Sequence, residues 1–196
     1  MSIVAVPEGQ LAAVVTYLEM TARPKIELPA SPLRLEPVAP SPAAYRTLFA
    51  RIGAPWLWFS RLVMSDDALA AILGDERVSL FEVRDGESVV GMLELDARED
   101  GGCELAFVGL VPELTGQGHG RWLLAEAISR AWAIAGVERI HVHTCTLDHP
   151  AALGAYRRAG FVAVARKIET FIDPRLAGLF PRGTAPQVPL VERPSS

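Results

Sequence analysis

The chain has 196 residues, half of them hydrophobic and 21% charged, with a formal net charge of -4 and a pI of about 5.6. That length suits one domain with a sizeable core, and the mild acidity argues against a general nucleic-acid binder while remaining compatible with a cationic substrate such as an amine. Two cysteines, Cys103 and Cys145, cannot make a disulfide framework, which predicts a reducing, cytoplasmic setting. The start MSIVAVPEGQ lacks the basic segment of a signal peptide, and no apolar run approaches the roughly 20 residues of a membrane helix, so no membrane partner is expected.

In chain order, residues 11–22, LAAVVTYLEMTA, are rich in β-formers at their centre and predict a strand ending at Arg23-Pro24. A proline-rich connector follows, within which LRLEPV (33–38) alternates apolar and polar residues as a short strand does. Ser41 is placed to cap a helix over 42–53, with Tyr45, Leu48, Phe49 and Ile52 on one face and Gly53 as its stop. After the aromatic, irregular stretch APWLWFSRLVM (54–64), Ser65 and Gly74 bracket a second helix. Three strands then predict a meander, 77–85, 88–97 and 103–111, turned at Asp85-Gly86 and Gly101-Gly102. Residues 121–136 are amphipathic, with Leu124, Ile128, Ala131 and Ala135 on one stripe and a Glu126–Arg130 pair at i, i+4. A strand (139–147), a helix (149–160) ending at Gly160 and a long strand (161–172) follow. The tail from Asp173 is expected to lie across the surface or stay loose. This order predicts an α/β (α+β) fold, a mixed sheet with helices on both faces.

Between the meander and the amphipathic helix, VGLVPELTGQGHGRWLL (108–124) places glycine at 116, 118 and 120. Strand, glycine turn and helix together make an anion cradle: free N–H groups of the first helical turn converge on a phosphate, and the helix dipole adds attraction. Neither common phosphate-loop spelling fits. A Walker loop needs Lys-Ser/Thr after its last glycine, and here Arg121-Trp122 follow. The dinucleotide fingerprint needs two residues between its last glycines, and here His119 alone stands between. Taken alone, the loop reads equally well as a tight connection.

Some thirty residues on, HPAALGAYRRAGF (149–161) carries a tyrosine near the end of a helix and then Gly-Phe opening a strand. The two segments together resemble the GNAT superfamily of acyl-CoA-dependent N-acyltransferases. The first is similar to its coenzyme loop, usually Val-x-Pro-x-x-Arg-Gly-x-Gly-x-Gly or Ala; the second is similar to its Asn-x-x-Ala-x-x-x-Tyr-x-x-x-Gly-Phe motif. The likeness spans about 33–172, leaving 1–32 as an N-terminal strand and connector and 173–196 as a tail.

The resemblance implies a mostly antiparallel sheet that splays after the fourth family strand, and acetyl-CoA as co-substrate. It implies that backbone groups near Leu110 and Val111 pair with the pantetheine arm, and that the amides of Gln117, Gly118, His119, Gly120 and Arg121 hold the pyrophosphate. Tyr156 would give a proton to the departing thiolate. Glu104, with Glu94 as competitor, would be the general base that accepts the proton of the amine. Trp56 and Trp58, in the loop that flanks the acceptor site in the family, would line it, and Arg61 would clamp an acceptor carboxylate.

Departures from the family pattern have consequences. Thr115 replaces the usual arginine or glutamine, so that side-chain contact falls to Gln117 or is lost. His149 replaces the asparagine that often touches the pantetheine; it is either a coenzyme contact or part of a helix start capped by Asp148. Only one strand follows Gly160-Phe161 where the family has two, so the extra strand at 11–22 is expected to fill the vacancy, in the same chain or in a partner's within a homodimer. His141, His143 and Cys145 share a strand face, but the outer two lie about 13 Å apart and cannot share one ion; no metal is expected. The function expected is acetyl transfer to a small-molecule or peptide primary amine by direct attack, the alternative being a non-catalytic acyl-CoA sensor or scaffold on the same fold.

Overall fold

The computed structural model describes residues 3–191. Seven strands form one sheet: β1 (Gln10–Met20), β2 (Arg34–Pro37), β3 (Val78–Asp85), β4 (Ser88–Asp96), β5 (Gly102–Leu110), β6 (Arg139–Cys145) and β7 (Val162–Ile172). Their order across the sheet is β2-β3-β4-β5-β6-β1-β7. Every neighbouring pair is antiparallel except β5 and β6, which run parallel. The extra N-terminal strand therefore fills the vacancy within its own chain, between β6 and β7. Two of its residues, Val15 and Leu18, are almost wholly buried there.

Four helices cover the sheet: α1 (Pro42–Gly53), α2 (Asp66–Leu73), α3 (His119–Ala131) and α4 (Ala152–Arg158). β4 is buried continuously from Val90 to Leu95 although its side chains alternate between faces, so both faces of the sheet are covered there. α1 and α3 supply that cover, each packing on β4 and β5. Ser41 and Ser65 cap α1 and α2 by accepting from Ala44 N and Ala68 N, as their sequences predict. Tyr45, Phe49 and Ile52 of α1 and Leu124, Ile128 and Ala131 of α3 are buried in the main core. No helix among the described residues is long and apolar enough to cross a membrane.

α1 ends at Gly53 as its sequence predicts, and a Cβ there would lie 2.4 Å from the Cβ of Trp58. Two local expectations are corrected. α3 ends at Ala131, because the chain then tightens into i→i+3 bonds (Ala133 N to Arg130 O, Ile134 N to Ala131 O) that lead to Gly136 at φ +81. As far as Val188 the tail is anchored rather than loose, and 192–196 lie outside the described residues. Asp173 and Arg175 form a buried ion pair (2.7 Å), Arg175 also donates to the carbonyl of Val188 (2.8 Å), and Leu57, Phe180 and Ala185 close a small second core over them.

β1 supplies one edge to β6 and the other to β7, so removing it strips backbone partners from two strands at once. Deletion of residues 1–23 is expected to abolish cooperative thermal unfolding followed by circular dichroism. A truncated chain that melts like the full one would show β1 to be dispensable.

Candidate functional site

The pairing of β5 with β6 lasts three residues, Gly102↔Arg139 to Glu104↔His141. Beyond Glu104, β5 stays paired with β4 as far as Leu110, while β6 continues along β1. The β6-facing edge of 105–110 is thus left without a strand. The divergence opens a cleft of about 1560 Å³ lined by Leu110, Gly118, Gly120, Arg121, Tyr156 and His149, with Glu104, Trp56, Trp58 and Arg61 also on its walls. This is the splay that the family resemblance implies.

At the mouth, the glycines divide into two classes. Gly116 and Gly118 adopt φ +82 and +88, a left-handed backbone in which other residues are strained. Gly120 has no such φ, lies in the first turn of α3, and a Cβ there would meet nothing within 4 Å. Neither the backbone conformation nor the packing of the protein requires glycine at 120. The N–H groups of Gly118, His119 and Gly120 have no backbone acceptor among the described residues, whereas Gln117 N and Arg121 N are bonded to Leu114 O and Gly118 O. Side chains at the loop turn away: Gln117 donates to Glu113 O (2.9 Å), and His119 Nδ1 is 3.5 Å from Ser31 Oγ. Val111 is buried and its N–H is spent on Val90 O, whereas Leu110 lines the cleft with the rest of 104–110.

Tyr156 lies on α4, edge-on to Phe161, and burial pushes its phenol pKa well up. It is a protonated hydroxyl on the cleft wall. The turn before α4 departs from the helix start that the sequence offers for it, while His149 lines the cleft. Asp148 caps the end of β6 rather than a helix: one carboxylate oxygen accepts from Cys145 N (2.7 Å) and Thr144 Oγ1 (2.8 Å), the other from Trp58 Nε1 (3.0 Å). His149 Nδ1 accepts from Ala151 N (3.0 Å) and its ring meets Trp56 edge-on at 5.1 Å. Trp58 is wedged against Phe49 and Phe107, so it forms a rigid wall.

Behind Arg61, outside the cleft lining, Glu94 is fully buried and accepts from Tyr45 Oη and Arg61 Nη2. Its burial removes it from competition as a base. The same contact occupies Arg61, whose guanidinium also lies 5.1 Å from the Phe107 ring. Arg61 Nε is buried without a partner. A two-pronged carboxylate clamp is therefore not free at Arg61, which corrects that expectation: buried Glu94 needs the charge.

Glu104 is instead paired with His143, Nδ1 to Oε1, at 2.9 Å. A carboxylate can only accept, so Nδ1–H donates and Nε2 is left as a proton acceptor. This hydrogen bond holds the Glu104 carboxyl below its ordinary range and raises the His143 imidazole. Both side chains line the cleft, beside Asp148 and Glu169. Sequence reasoning placed His143 only as packing or as a substrate-side group; its spacing from Glu104 carries no local signal. Among the described residues, no group of three or more His, Cys, Asp or Glu is placed to hold a metal ion.

The model of the Acetyltransferase (GNAT) family matches residues 45–161. None of the curated proteins matches the chain in sequence. Among solved structures, a GCN5-related N-acetyltransferase from Sphaerobacter thermophilus is similar at TM-score 0.60 and 19% identity, over 81% of this chain and 51% of that one. This chain thus spans about half the length of that protein. One from Kribbella flavida gives 0.53 and 22%, over 87% and 63%. The spermidine N-acetyltransferase of Vibrio cholerae, in complex with CoA and spermine, gives 0.56 and 20%, over 76% and 99%. At these identities the likeness is one of fold.

The two glycine classes separate by mutation. Gly120→Val is expected to leave the melting temperature near wild type and to weaken coenzyme A binding by about tenfold or more, read by calorimetry. Gly118→Val is expected to lower stability as well, since it forces a β-branched residue into the left-handed region. Unchanged coenzyme affinity in Gly120→Val would take the loop out of the site.

Proposed function

The chain belongs to the acetyltransferase (GNAT) family, and from that membership we propose that it moves the acetyl group of acetyl-CoA directly to a primary amine. The observation that supports this reading is one cleft that holds the unpaired β5 edge, the bare glycine cradle and a protonated tyrosine. Acetyl-CoA supplies an activated thioester carbonyl. The chain's part is to hold that molecule, take a proton from the amine and return one to the sulfur.

Holding falls to backbone. The free edge of β5 around Leu110 offers amides and carbonyls to the pantetheine arm, as an added strand would. The orphan N–H groups of Gly118, His119 and Gly120 offer a pyrophosphate cradle, with the α3 dipole behind them and Gln117 and Arg121 flanking. Val111, with its N–H already used, and His149, tied to Ala151, act by fixing the walls. Trp56 and Trp58 shape the acceptor side.

Proton removal is assigned to the Glu104–His143 pair, with His143 Nε2 as acceptor and Glu104 fixing the tautomer. An imidazole raised in basicity is closer in pKa to an alkylammonium than a carboxylate held below its usual range, so less driving force is lost in the transfer. The carboxylates of Glu104, Asp148 and Glu169 surround this end, while the charge of Arg61 is met by Glu94. That balance favours a cationic amine, on a small molecule or a peptide, over an acceptor that presents a carboxylate. Tyr156 is the proton donor to the departing thiolate.

Release of free thiol from acetyl-CoA, screened over an amine panel, tests the reading. Coenzyme binding without amine-dependent release would replace the enzyme by an acyl-CoA sensor. Tyr156→Phe retains the ring and is expected to lower kcat by roughly 10²–10⁴ with little change in coenzyme affinity. A wild-type rate in that variant would remove the hydroxyl from the chemistry.

The pair also sets a pH dependence. Protonated His143 cannot accept, so the rate falls as pH drops through its raised pKa. Glu104→Gln removes the cause of the raise and is expected to move the acidic limb to lower pH. A limb that vanishes in Glu104→Gln would make Glu104 itself the base, and one that stays in place would exclude both.

A further inference from the structure

β7 is an edge strand of 11 residues with β1 on one side and no strand on the other among the described residues. Nearly all of it is exposed, and Ile168 (73%) and Ile172 (62%) stand out. Ile168 is paired with Val14 of β1, itself 41% exposed, so an apolar patch runs across both strands on that face. On the opposite, cleft-side face, Lys167 and Glu169 stand two residues apart, with the Lys167 ammonium 4.7 Å from the Tyr17 ring. The pairing with β1 is regular from Ile172 back to Ala165 and shifts register beyond it. A straight segment of 165–172 is thus available for pairing, and the irregularity ends it.

We propose that this segment pairs antiparallel with the same segment of a second copy of this chain, about a two-fold axis through Ile168, joining two sheets into one. A two-fold axis normal to the sheet keeps like faces together, so residues meet in pairs whose numbers share an even sum. Centred on Ile168, Lys167 lies opposite Glu169 of the second copy and Glu169 opposite its Lys167, while Arg166 meets Thr170 and Ala165 meets Phe171. Ile168 meets Ile168 on the other face and extends the patch begun by Val14. Centring on Lys167 or Glu169 instead sets two like charges against each other on the axis.

Charged residues on an edge ordinarily discourage pairing with a foreign strand. Here the strand carries its own counter-charge at the spacing that only its antiparallel copy can use, which selects a second copy as the occupant. The pairing satisfies the free backbone edge of β7 and brings the partner's Glu169 beside Lys167, on the face that borders the cleft.

The experiment is sedimentation equilibrium of the full chain over a concentration series, with circular dichroism to verify folding. Wild type is expected to be a reversible dimer. Ile168→Asp, at an exposed position, and Lys167→Glu are each expected to raise the dimer dissociation constant about tenfold or more. The double variant Lys167→Glu with Glu169→Lys is expected to bring it back towards wild type, because both cross-pairs re-form with reversed sign. A wild-type chain that stays monomeric overturns the proposal, as does a dimer indifferent to Ile168→Asp. Weakening by Lys167→Glu without recovery in the double variant overturns the register.

Discussion

The cleft exists because β5 and β6 share only three residues of ladder before they part. Each backbone group that leaves a ladder needs another partner, and the two strands find theirs in different places. β6 turns to β1 on its far side, so its remaining length is satisfied within the protein. β5 keeps β4 but leaves its other edge open up to Leu110. An open edge inside a cleft is costly unless water or a ligand meets it. The glycine loop and α4 are placed around that edge, and the chemistry assigned to the site depends on the divergence being held open.

What holds it open is a rigid wall. Trp58 is pinned at its indole nitrogen by Asp148, which itself terminates β6, and its ring fills the space that Gly53 and Gly109 leave bare. Below it, Arg61 ties the loop after α1 to Glu94 in the middle of β4. A buried ion pair contributes little net stability, since desolvation offsets most of its attraction. Its worth here is positional: Tyr45 and Arg61 both terminate on one carboxylate, so α1, the loop and the sheet share a fixed point.

The features legible in the sequence were the local ones. Caps at Ser41 and Ser65, the turn at Asp85-Gly86 and the glycine loop are each written within a few consecutive residues, as is the placing of Tyr156 ahead of Gly160-Phe161. The end of α3 was less legible, because the chain tightens after Ala131 while the amphipathic pattern runs on to Gly136. The Glu104–His143, Trp58–Asp148 and Arg61–Glu94 contacts join residues 39, 90 and 33 positions apart. Such pairs follow from strand order and register, which single-sequence periodicity does not contain. The exposed valines and isoleucines of β7 read as an ordinary strand; only its position at the sheet's edge gives them meaning.

The place of β1 in the sheet also sets an order of events during synthesis. Its residues leave the ribosome well over a hundred residues ahead of its two partners, at 139–145 and 162–172. The β3–β5 meander can pair as it emerges because its contacts are local, but the other half of the sheet cannot close until 139–172 are made. Contacts of such long sequence separation slow folding and prolong the exposure of unpaired edges. The nascent β1, with an apolar centre, spends that interval without either partner, and the proline-rich connector behind it is the tether that keeps it within reach.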